Sequence, residues 1–187
     1  HFLGIGEKDR WSQIVNYLRN QQRDDGTWSV YYGGPGDLNV TVEAYFAMKL
    51  AGVSPTEPGM DKARAFIMSK GGLPKVRNFT KIWLSMLGQW SWNAHPIIPP
   101  VLILLTYSIP FNIYEFASWA RGTIVPMTII LTKRPVRPVP EYAKIEELMP
   151  SGSGKLGYTI RGKPRIFSWQ RFFIEFDRVS LLQDVAD

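Results

Sequence analysis

A short motif near the amino terminus constrains the fold more than any other feature of the sequence. Tyr17 and Leu18 are followed, at fixed intervals, by Gln22, Gly26 and Trp28. Apolar residues before the motif recur at helical spacing, and a glycine can adopt the positive φ that ends a helix, so we expect a helix that runs to Gly26. The Gln22 amide can donate hydrogen bonds to the end of a neighbouring helix and can stack on the Trp28 indole. The motif therefore predicts helices that are joined at their ends.

Helical apolar patterns continue along the chain, and no segment shows the strict alternation of a β-strand. Further helices are predicted at about 40–51, 60–69, 78–87, 101–107, 113–132 and from 165 to the end. The segment 113–132 is almost entirely apolar, so we expect it to be buried on most sides. Pro126 should kink this helix or start a second segment. The sequence predicts an all-α fold.

The chain is predicted to form a single partial domain over residues 1–187. Its extended or loop connector covers 133–164, and an amphipathic helix covers 165–187. A degenerate echo of the first motif ends at Gly71-Gly72, at a period that is typical of stacked helix pairs. Because the chain starts without Met and ends within a helical pattern, we expect a piece of a longer protein.

Composition argues against several kinds of site. There is no cysteine, which excludes disulfides and thiolate chemistry, and His1 and His95 are too far apart in sequence to favour a metal site. The glycine-rich run at 152–155 has Met149 where a phosphate loop has its first glycine and Leu156 after its lysine, which argues against nucleotide binding. No apolar run has the length that crosses a bilayer.

The chain carries a net charge of +6, and its basic residues cluster at 133–137 and 161–171. Solvated surfaces are the simplest interpretation of these clusters. Contact with anionic lipid headgroups is a second interpretation, and nucleic acid is a third and weaker one. We therefore expect no nucleic-acid partner.

Three further stretches accompany the motif at 17–28, and together they resemble the first third of bacterial squalene-hopene cyclases. They are Gly33-Gly34-Pro35-Gly36-Asp37-Leu38, Thr41-x-Glu43-Ala44-Tyr45 and Pro110-x-Asn112-Ile113-Tyr114-Glu115-Phe116-x-Ser118-Trp119-Ala120-Arg121. The motif itself resembles the QW repeat of that family, although Ser12-Gln13 stands in place of the usual Lys/Arg-Gly pair. The resemblance covers nearly the whole chain and is weakest at about 146–164. It implies an incomplete α/α barrel, or toroid, of helix pairs.

The resemblance also implies the residues of a substrate cavity. It places the indole of Trp119 in the cavity wall and Phe116 and Ile124 along the substrate channel. A π face stabilises a developing carbocation without offering a nucleophile that would quench it. From the residues alone, a merely packed tryptophan is the simpler interpretation. Ile124 stands where the family commonly has the smaller Val, which bears on the width of the channel.

Glu43, Arg77 and Trp83 match further positions of the family pattern. A carboxylate and a guanidinium in the helices of a mostly apolar domain usually pair with another group. We therefore expect a buried ion pair that is structural or that contacts the residues lining the cavity, rather than a direct catalytic role.

Aromatic residues in the last segment recur at three- and four-residue spacing. Trp169, Phe172 and Phe176 share one helical face. A core-facing helix and a membrane-surface anchor both fit this pattern. The resemblance favours the anchor, and it implies a monotopic protein on the cytoplasmic face of a membrane and a homodimer.

The reaction implied by the resemblance is the protonation of squalene, or a similar polyprene, and ring closure through carbocations to hopene or hopanol. It needs no metal or organic cofactor. The acid of the family is an Asp-x-Asp-Asp motif, which this sequence lacks, so we expect no catalytic residue here and no activity of the chain alone. Two alternatives are a related bacterial cyclase of another polyprene and a non-catalytic helical module that binds lipid surfaces.

Overall fold

The computed structural model describes residues 8–95, 103–105 and 112–150, and these residues are helical without any β-strand. The only paired extended backbone among them is an isolated bridge between Ser29 and Gly36. This confirms the predicted all-α class. The helices are α1 (Lys8–Gln21), α2 (Leu38–Leu50), α3 (Pro58–Ser69), α4 (Asn78–Met86) and α5 (Ser118–Lys133).

The described residues divide into two compact units. The first contains residues 8–91 and 136–150, and the second contains 92–95, 103–105 and 112–135. Two compact units can belong to one domain, so the single domain predicted over residues 1–187 stays a prediction. Within the described parts of the chain, no helix combines the length and the apolarity needed to span a bilayer.

Local chemistry sets the start of each central helix. Asp37 begins α2, because its carboxylate accepts hydrogen bonds from the backbone N–H groups of Asn39 at 2.8 Å and Val40 at 2.9 Å. Pro58 lies in the first turn of α3, where a missing N–H leaves no helical bond unmade. The predicted bounds of α2, α3 and α4 are correct to within about two residues.

The core of the first unit lies where α2 packs against α3. Buried side chains surround most of α2 instead of forming a single stripe along it. A helix that is covered on most sides is central to its unit. The fully buried side chains of the two helices include Val42, Tyr45, Met48, Met60, Ala63 and Ile67.

Two expectations about helices are wrong. The first helix does not run to Gly26: α1 ends at Gln21, because the backbone reverses where the N–H of Arg23 donates to the carbonyl of Thr27 at 2.9 Å. Gly26 nevertheless has the predicted positive φ, of 81°. It lies in this turn, pressed against Lys62 of α3, where a side chain would collide.

The segment 113–132 is not one long buried helix. A short 3-10 turn at Ile113–Glu115 precedes α5, which starts at Ser118 and continues through Pro126. Thr128 and Leu131 are its buried residues, so most of its apolar side chains are at least partly exposed among the described residues. Apolar composition predicts that a surface needs a partner, but it does not say that the partner lies in the same unit.

Gln22 and Trp28 join the end of α1 to the start of α3. The side-chain amide of Gln22 donates to the carbonyl of Gly59, in the first turn of α3, at 2.8 Å and to the carbonyl of Gly26 at 2.9 Å. The buried indole N–H of Trp28 donates to the carbonyl of Leu18 in the last turn of α1 at 2.8 Å. The carbonyl of Leu18 is one of the last four of α1, which lack helical partners, so the Trp28 bond satisfies a group that burial would otherwise leave unpaired. Stacking of the Gln22 amide on the Trp28 indole stays a prediction.

Residues 136–150, named here the belt, pack against the rest of the first unit. They are part of the connector predicted at 133–164. The belt has two 3-10 turns, Glu141–Ala143 and Glu146–Leu148. Its backbone is held by Gln89, whose side-chain oxygen accepts a hydrogen bond from the N–H of Ile145 at 3.0 Å. Its buried apolar side chains are Val139, Ala143, Ile145 and Leu148.

A buried lysine fastens the belt to α2. Lys49 is only 5% exposed, and its ammonium group donates to Glu147 at 2.6 Å and to the backbone carbonyl of Lys144. The hydroxyl of Tyr45 donates to the same carboxylate oxygen at 3.0 Å. Burial, and then the Glu147 charge, raise the pKa of Tyr45, which keeps this phenol protonated as a donor at neutral pH.

Replacing Glu147 should therefore destabilise the first unit. Glu147→Gln leaves the buried Lys49 ammonium without a counter-ion, and we expect the free energy of unfolding to fall by about 1–3 kcal/mol, since the 27% exposed carboxylate is partly screened. Urea unfolding of the full-length gene product measures the change. The matched control is Glu141→Gln, which breaks an exposed pair with Lys144 and should change stability by less than about 0.5 kcal/mol. Equal effects of the two variants would contradict this role.

Replacing Gln22 should weaken the joint between α1 and α3. Gln22→Glu keeps the shape of the side chain but turns its donating amide into an acceptor that faces two carbonyl oxygens. We expect a loss of about 1–3 kcal/mol in the free energy of unfolding. Gln13→Glu is the control, since Gln13 is exposed on α1. Hydrogen exchange should show faster opening at the start of α3 in the first variant only, and identical exchange in both would rule out the joint.

Candidate functional site

The predicted cavity residues lie in the second unit. Trp119 is in the first turn of α5, Phe116 is in the loop before it, and Ile124 lies further along the helix. The side chains of Trp119 and Phe116 are 79% and 44% exposed, and Ile124 is half-buried. Five residues of α-helix correspond to about 140° around the axis between Trp119 and Ile124. One narrow stripe of α5 does not carry both side chains, so a cavity lined by both must extend around the helix.

The exposure of Trp119 limits what its indole can do by itself. A cation over an exposed ring gains about 0.5–1 kcal/mol, and about 2 kcal/mol or more when water is excluded. The ring therefore becomes an effective partner for a cation only beneath a cover that keeps out solvent. The assignment of Trp119, Phe116 and Ile124 to a cavity wall stays a prediction.

A buried asparagine orients the loop that leads into α5. The side-chain oxygen of Asn112 accepts a hydrogen bond from the N–H of Tyr114 at 2.9 Å, and its amide donates to Glu115 at 3.3 Å. Asn112 is 1% exposed and Ile113 is also buried, so this end of the loop is fixed just before Phe116. We did not assign a role to Asn112 from the sequence, although the preference of Asn for starting a helical turn is a usable signal.

Glu43 and Arg77 pair in the first unit, as expected. Their closest atoms are 3.6 Å apart, and the pair shares the hydroxyl of Thr80, which donates to Glu43 at 2.6 Å and accepts from Arg77 at 3.3 Å. The expected burial of this pair is wrong: the two side chains are 40% and 52% exposed. Arg77 stands just before α4, where its side chain runs along the surface. An ion pair this exposed contributes little stability, about 0–1 kcal/mol.

Thr80 was missed by sequence reasoning, although it is fully buried and links the two charges. Its position three residues after Arg77, on the same side of a helical turn, is the one signal that could have suggested it. Trp83 lies three residues further along α4 and is 53% exposed, close to the equally exposed Phe79 one turn before it. The structure brings Glu43 and Arg77 together, and a supporting role for them and Trp83 stays a prediction.

The remaining predicted site residues lie away from the α5 segment or outside the described residues. Trp169, Phe172 and Phe176 lie outside the described residues. Gln22, Gly26 and Trp28 belong to the joint between α1 and α3 in the first unit. Among the residues that the structure describes, no group of three or more His, Asp or Glu could hold a metal ion.

A cleft of about 620 Å³, with four charged side chains in its wall, opens beside the belt in the first unit. Lys49 and Glu147 form one ion pair in its wall, and Arg64 and Asp61 form another at 2.7 Å. Each of these charged side chains is already paired with another in the wall, so the ion pairs stabilise the cleft itself. Lys49 and Glu147 were not predicted from the sequence, because nothing local relates two residues so far apart in the chain.

The sequence is similar to known proteins over nearly its whole length. The family model described as the squalene-hopene cyclase N-terminal domain matches residues 1–185. A squalene-hopene cyclase of Alicyclobacillus acidocaldarius is 46% identical over 148 residues, which are 79% of this chain and 24% of that protein. A dammaradiene synthase of Dryopteris crassirhizoma is 40% identical over 178 residues, or 95% of this chain and 26% of that protein.

A squalene-hopene cyclase of Zymomonas mobilis is 36% identical over 181 residues, or 96% of this chain and 27% of that protein. The chain thus spans about a quarter of the length of the curated relatives that it matches. The matched domain is an α/α toroid, in agreement with the all-helical structure. Because the family model covers nearly all of its residues, the chain belongs to the squalene-hopene cyclase family, of which it carries the amino-terminal region.

Proposed function

We propose that this chain is part of a cyclase that protonates squalene, or a similar polyprene, and closes its rings through carbocations to hopene or hopanol. Membership of a terpene cyclase family supports the enzymatic class. The observation that carries the proposal is Trp119, an indole with an accessible π face at the start of a largely apolar helix. Such a face suits a reaction whose intermediates are cations in a dry cavity.

The role proposed for this chain is to supply cavity wall. Trp119 stabilises positive charge, while Phe116 and Ile124 shape the channel through which the polyprene enters. The Glu43–Arg77 pair, with Thr80, links α2 to α4 and takes no direct part in the chemistry. The Asp-x-Asp-Asp acid of the reaction lies in another part of the intact protein. The chain alone should therefore be inactive, and neither a metal nor an organic cofactor enters the proposed reaction.

A related cyclase with a different product is the second candidate. A dammaradiene synthase matches 95% of this chain at 40% identity, a level similar to that of the squalene-hopene cyclases. The bulk of Ile124 on the predicted channel also bears on which polyprene fits. Product analysis of the full-length gene product supplied with squalene separates the two candidates.

We further propose that the intact protein is a homodimer that associates with the cytoplasmic face of a membrane. The support for membrane association is the spacing of Trp169, Phe172 and Phe176, which would place them on one face of a helix, together with Arg165 and Arg171 on the same segment. Aromatic side chains on one face would enter the leaflet, while the arginines meet phosphates. Light scattering of the purified full-length gene product tests the dimer, and a monomer would remove that part of the proposal.

Substitution of Trp119 tests its proposed role in cyclisation. In the full-length gene product, Trp119→Leu should lower turnover of squalene about tenfold or more, or release incompletely cyclised products, because it removes a cation–π contribution of about 2 kcal/mol. Trp119→Phe keeps an aromatic face and should retain more of the rate. Residues 1–187 alone serve as the negative control and should yield no cyclised product. An unchanged rate and product profile in the Leu variant would refute the cavity role.

The membrane anchor is tested with two substitutions in the last segment. Trp169→Glu combined with Phe172→Glu should move the full-length gene product from the pellet to the supernatant when it is sedimented with lipid vesicles, because two charges replace the inserted aromatic surface. Phe167→Glu is the control, since Phe167 lies well off that face. If the double variant sediments as fully as the wild type, the anchor lies elsewhere.

A further inference from the structure

Two residues that weaken helices stand four positions apart inside α5. Gly122 and Pro126 are both exposed, and Pro126 lies in the interior of the helix. Glycine loses more conformational freedom in a helix than other residues do, and proline removes a backbone donor, so each destabilises the helix interior. Because helical hydrogen bonds join residues four apart, both act on one atom, the backbone carbonyl oxygen of Gly122.

Pro126 removes the hydrogen bond that this carbonyl would otherwise accept. In an α-helix the carbonyl of Gly122 pairs with the N–H of residue 126, and proline has no N–H. A threonine hydroxyl can replace such a donor. The threonine hydroxyls of α5 donate to other carbonyls: Thr123 to Trp119 at 3.3 Å, Thr128 to Val125 at 2.7 Å and Thr132 to Thr128 at 2.8 Å. The Gly122 carbonyl therefore lacks its helical donor and is not served by these hydroxyls.

The missing side chain at Gly122 leaves the carbonyl uncovered. A β-carbon at this position would meet no neighbouring atom of the described residues within 4 Å, so their packing does not require a glycine. The backbone does not require one either, since Gly122 is not among the glycines with positive φ. Nor does a glycine relieve the clash of the Pro126 ring, which involves the carbonyl oxygen and not a side chain. The space beside the carbonyl is thus open to a ligand or to another segment.

The Gly122 carbonyl lies on the same face of α5 as the Trp119 indole. Helical geometry brings Gly122 to within about 60° of Trp119 around the axis, and Pro126 to within about 20°. The exposed Ile129 lies about 80° from Trp119, whereas Arg121, the only charged residue between these two, lies on the opposite side of the helix. The carbonyl is therefore a polarised oxygen on an uncharged face that also carries an exposed indole.

We propose that the backbone carbonyl oxygen of Gly122 stabilises a carbocation of the substrate during cyclisation, as a second group beside the Trp119 indole. A carbonyl oxygen carries partial negative charge, and an oxygen without a donor retains that charge for a cation that approaches it. The helix fixes the carbonyl dipole before the cation forms, so little reorganisation accompanies the reaction. This proposal rests on the proposed function and adds a backbone group to the proposed cavity wall.

The two groups would meet positive charge at different places along the substrate. Helical side chains lean toward the amino end of a helix, while helical carbonyls point toward the carboxyl end. The Trp119 indole and the Gly122 oxygen therefore diverge along α5, starting from α-carbons that are separated by about 4.5 Å of helix rise. In the proposed reaction, cations form at successive carbons as the rings close. Two separated groups suit such a reaction better than one.

Water and a donor from the rest of the full-length protein are the other partners to weigh. Water fits only while this face of α5 stays exposed, and the proposed role of Trp119 requires a cover. The curated relatives are about four times as long as this chain, so a further segment of the protein is a real alternative. Such a donor would form a permanent bond that stabilises the folded protein, whereas a cation is present only during the reaction. The face shared with Trp119 favours the substrate, and stability measurements separate the two partners.

Restoring the missing N–H in the full-length gene product tests the proposal. Pro126→Ala gives the Gly122 carbonyl its helical donor, so kcat for squalene should fall about tenfold while KM stays unchanged, because the carbonyl acts on the cation and not on the bound substrate. Pro126→Val restores the same donor but keeps bulk on the face, and it should cause an equal loss. Pro58→Ala is the matched control and should cyclise like the wild type, since Pro58 begins α3, where no helical bond is missing.

Three results would overturn the proposal. One is an unchanged kcat and product profile in Pro126→Ala. Another is a loss in Pro126→Ala but not in Pro126→Val, which would assign the effect to the proline ring. The third is a lower urea midpoint in both variants, which would mean that another part of the protein donates to the carbonyl. We expect the midpoint to stay the same or rise, because each variant completes the helix.

The wild type and Trp119→Leu separate this proposal from the proposed function. If the wild type forms no cyclised product from squalene, the proposed function fails, and the carbonyl proposal fails with it. If the wild type cyclises squalene and Trp119→Leu impairs the reaction while Pro126→Ala does not, the carbonyl proposal alone fails. Where both variants release incompletely cyclised products, these products should differ, because the two groups meet different positions of the substrate.

Discussion

The short helices of this chain depend on side chains that satisfy the free backbone groups at their ends. A helix of 12 or 14 residues leaves as many as eight backbone groups without helical partners, a large share of its total. Trp28 supplies a donor to the free carbonyl of Leu18 at the end of α1, and Asp37 supplies the acceptor that starts α2. The Gln22 amide adds a hydrogen bond to the carbonyl of Gly59 in the first turn of α3. Because the bonds of Gln22 and Trp28 run between elements, they also help to determine that α1 and α3 lie side by side.

Burial separates two kinds of ion pair in the first unit. The Lys49 ammonium is almost completely buried and donates to Glu147 and to a backbone carbonyl, so the loss of the Glu147 charge leaves a buried ammonium without a counter-ion. The Glu43–Arg77 pair is about half exposed and is stabilised mainly by its contacts with the buried Thr80 hydroxyl. The first pair fastens the belt, whereas the second orients the start of α4. Equal charges thus have unequal structural consequences.

The proposed chemistry also depends on burial, because water weakens the attraction between a cation and an indole ring. Trp119 is largely exposed among the described residues, and an exposed indole attracts a cation only weakly. Its proposed role therefore requires a covering surface, and the partly exposed apolar side chains of α5 are suited to pack against one.

The sequence by itself determined the features that depend on neighbouring residues. The all-α class, the bounds of α2, α3 and α4 and the positive φ of Gly26 follow from periodicity, caps and glycine placement, all of which act within a few residues. Only the tertiary structure decided which surfaces meet. Lys49 and Glu147 are 98 positions apart, the Thr80 hydroxyl completes the Glu43–Arg77 pair, and α5 is far less covered than its composition suggested. Such contacts depend on packing between distant segments, and local sequence patterns carry no information about which distant segment supplies the partner.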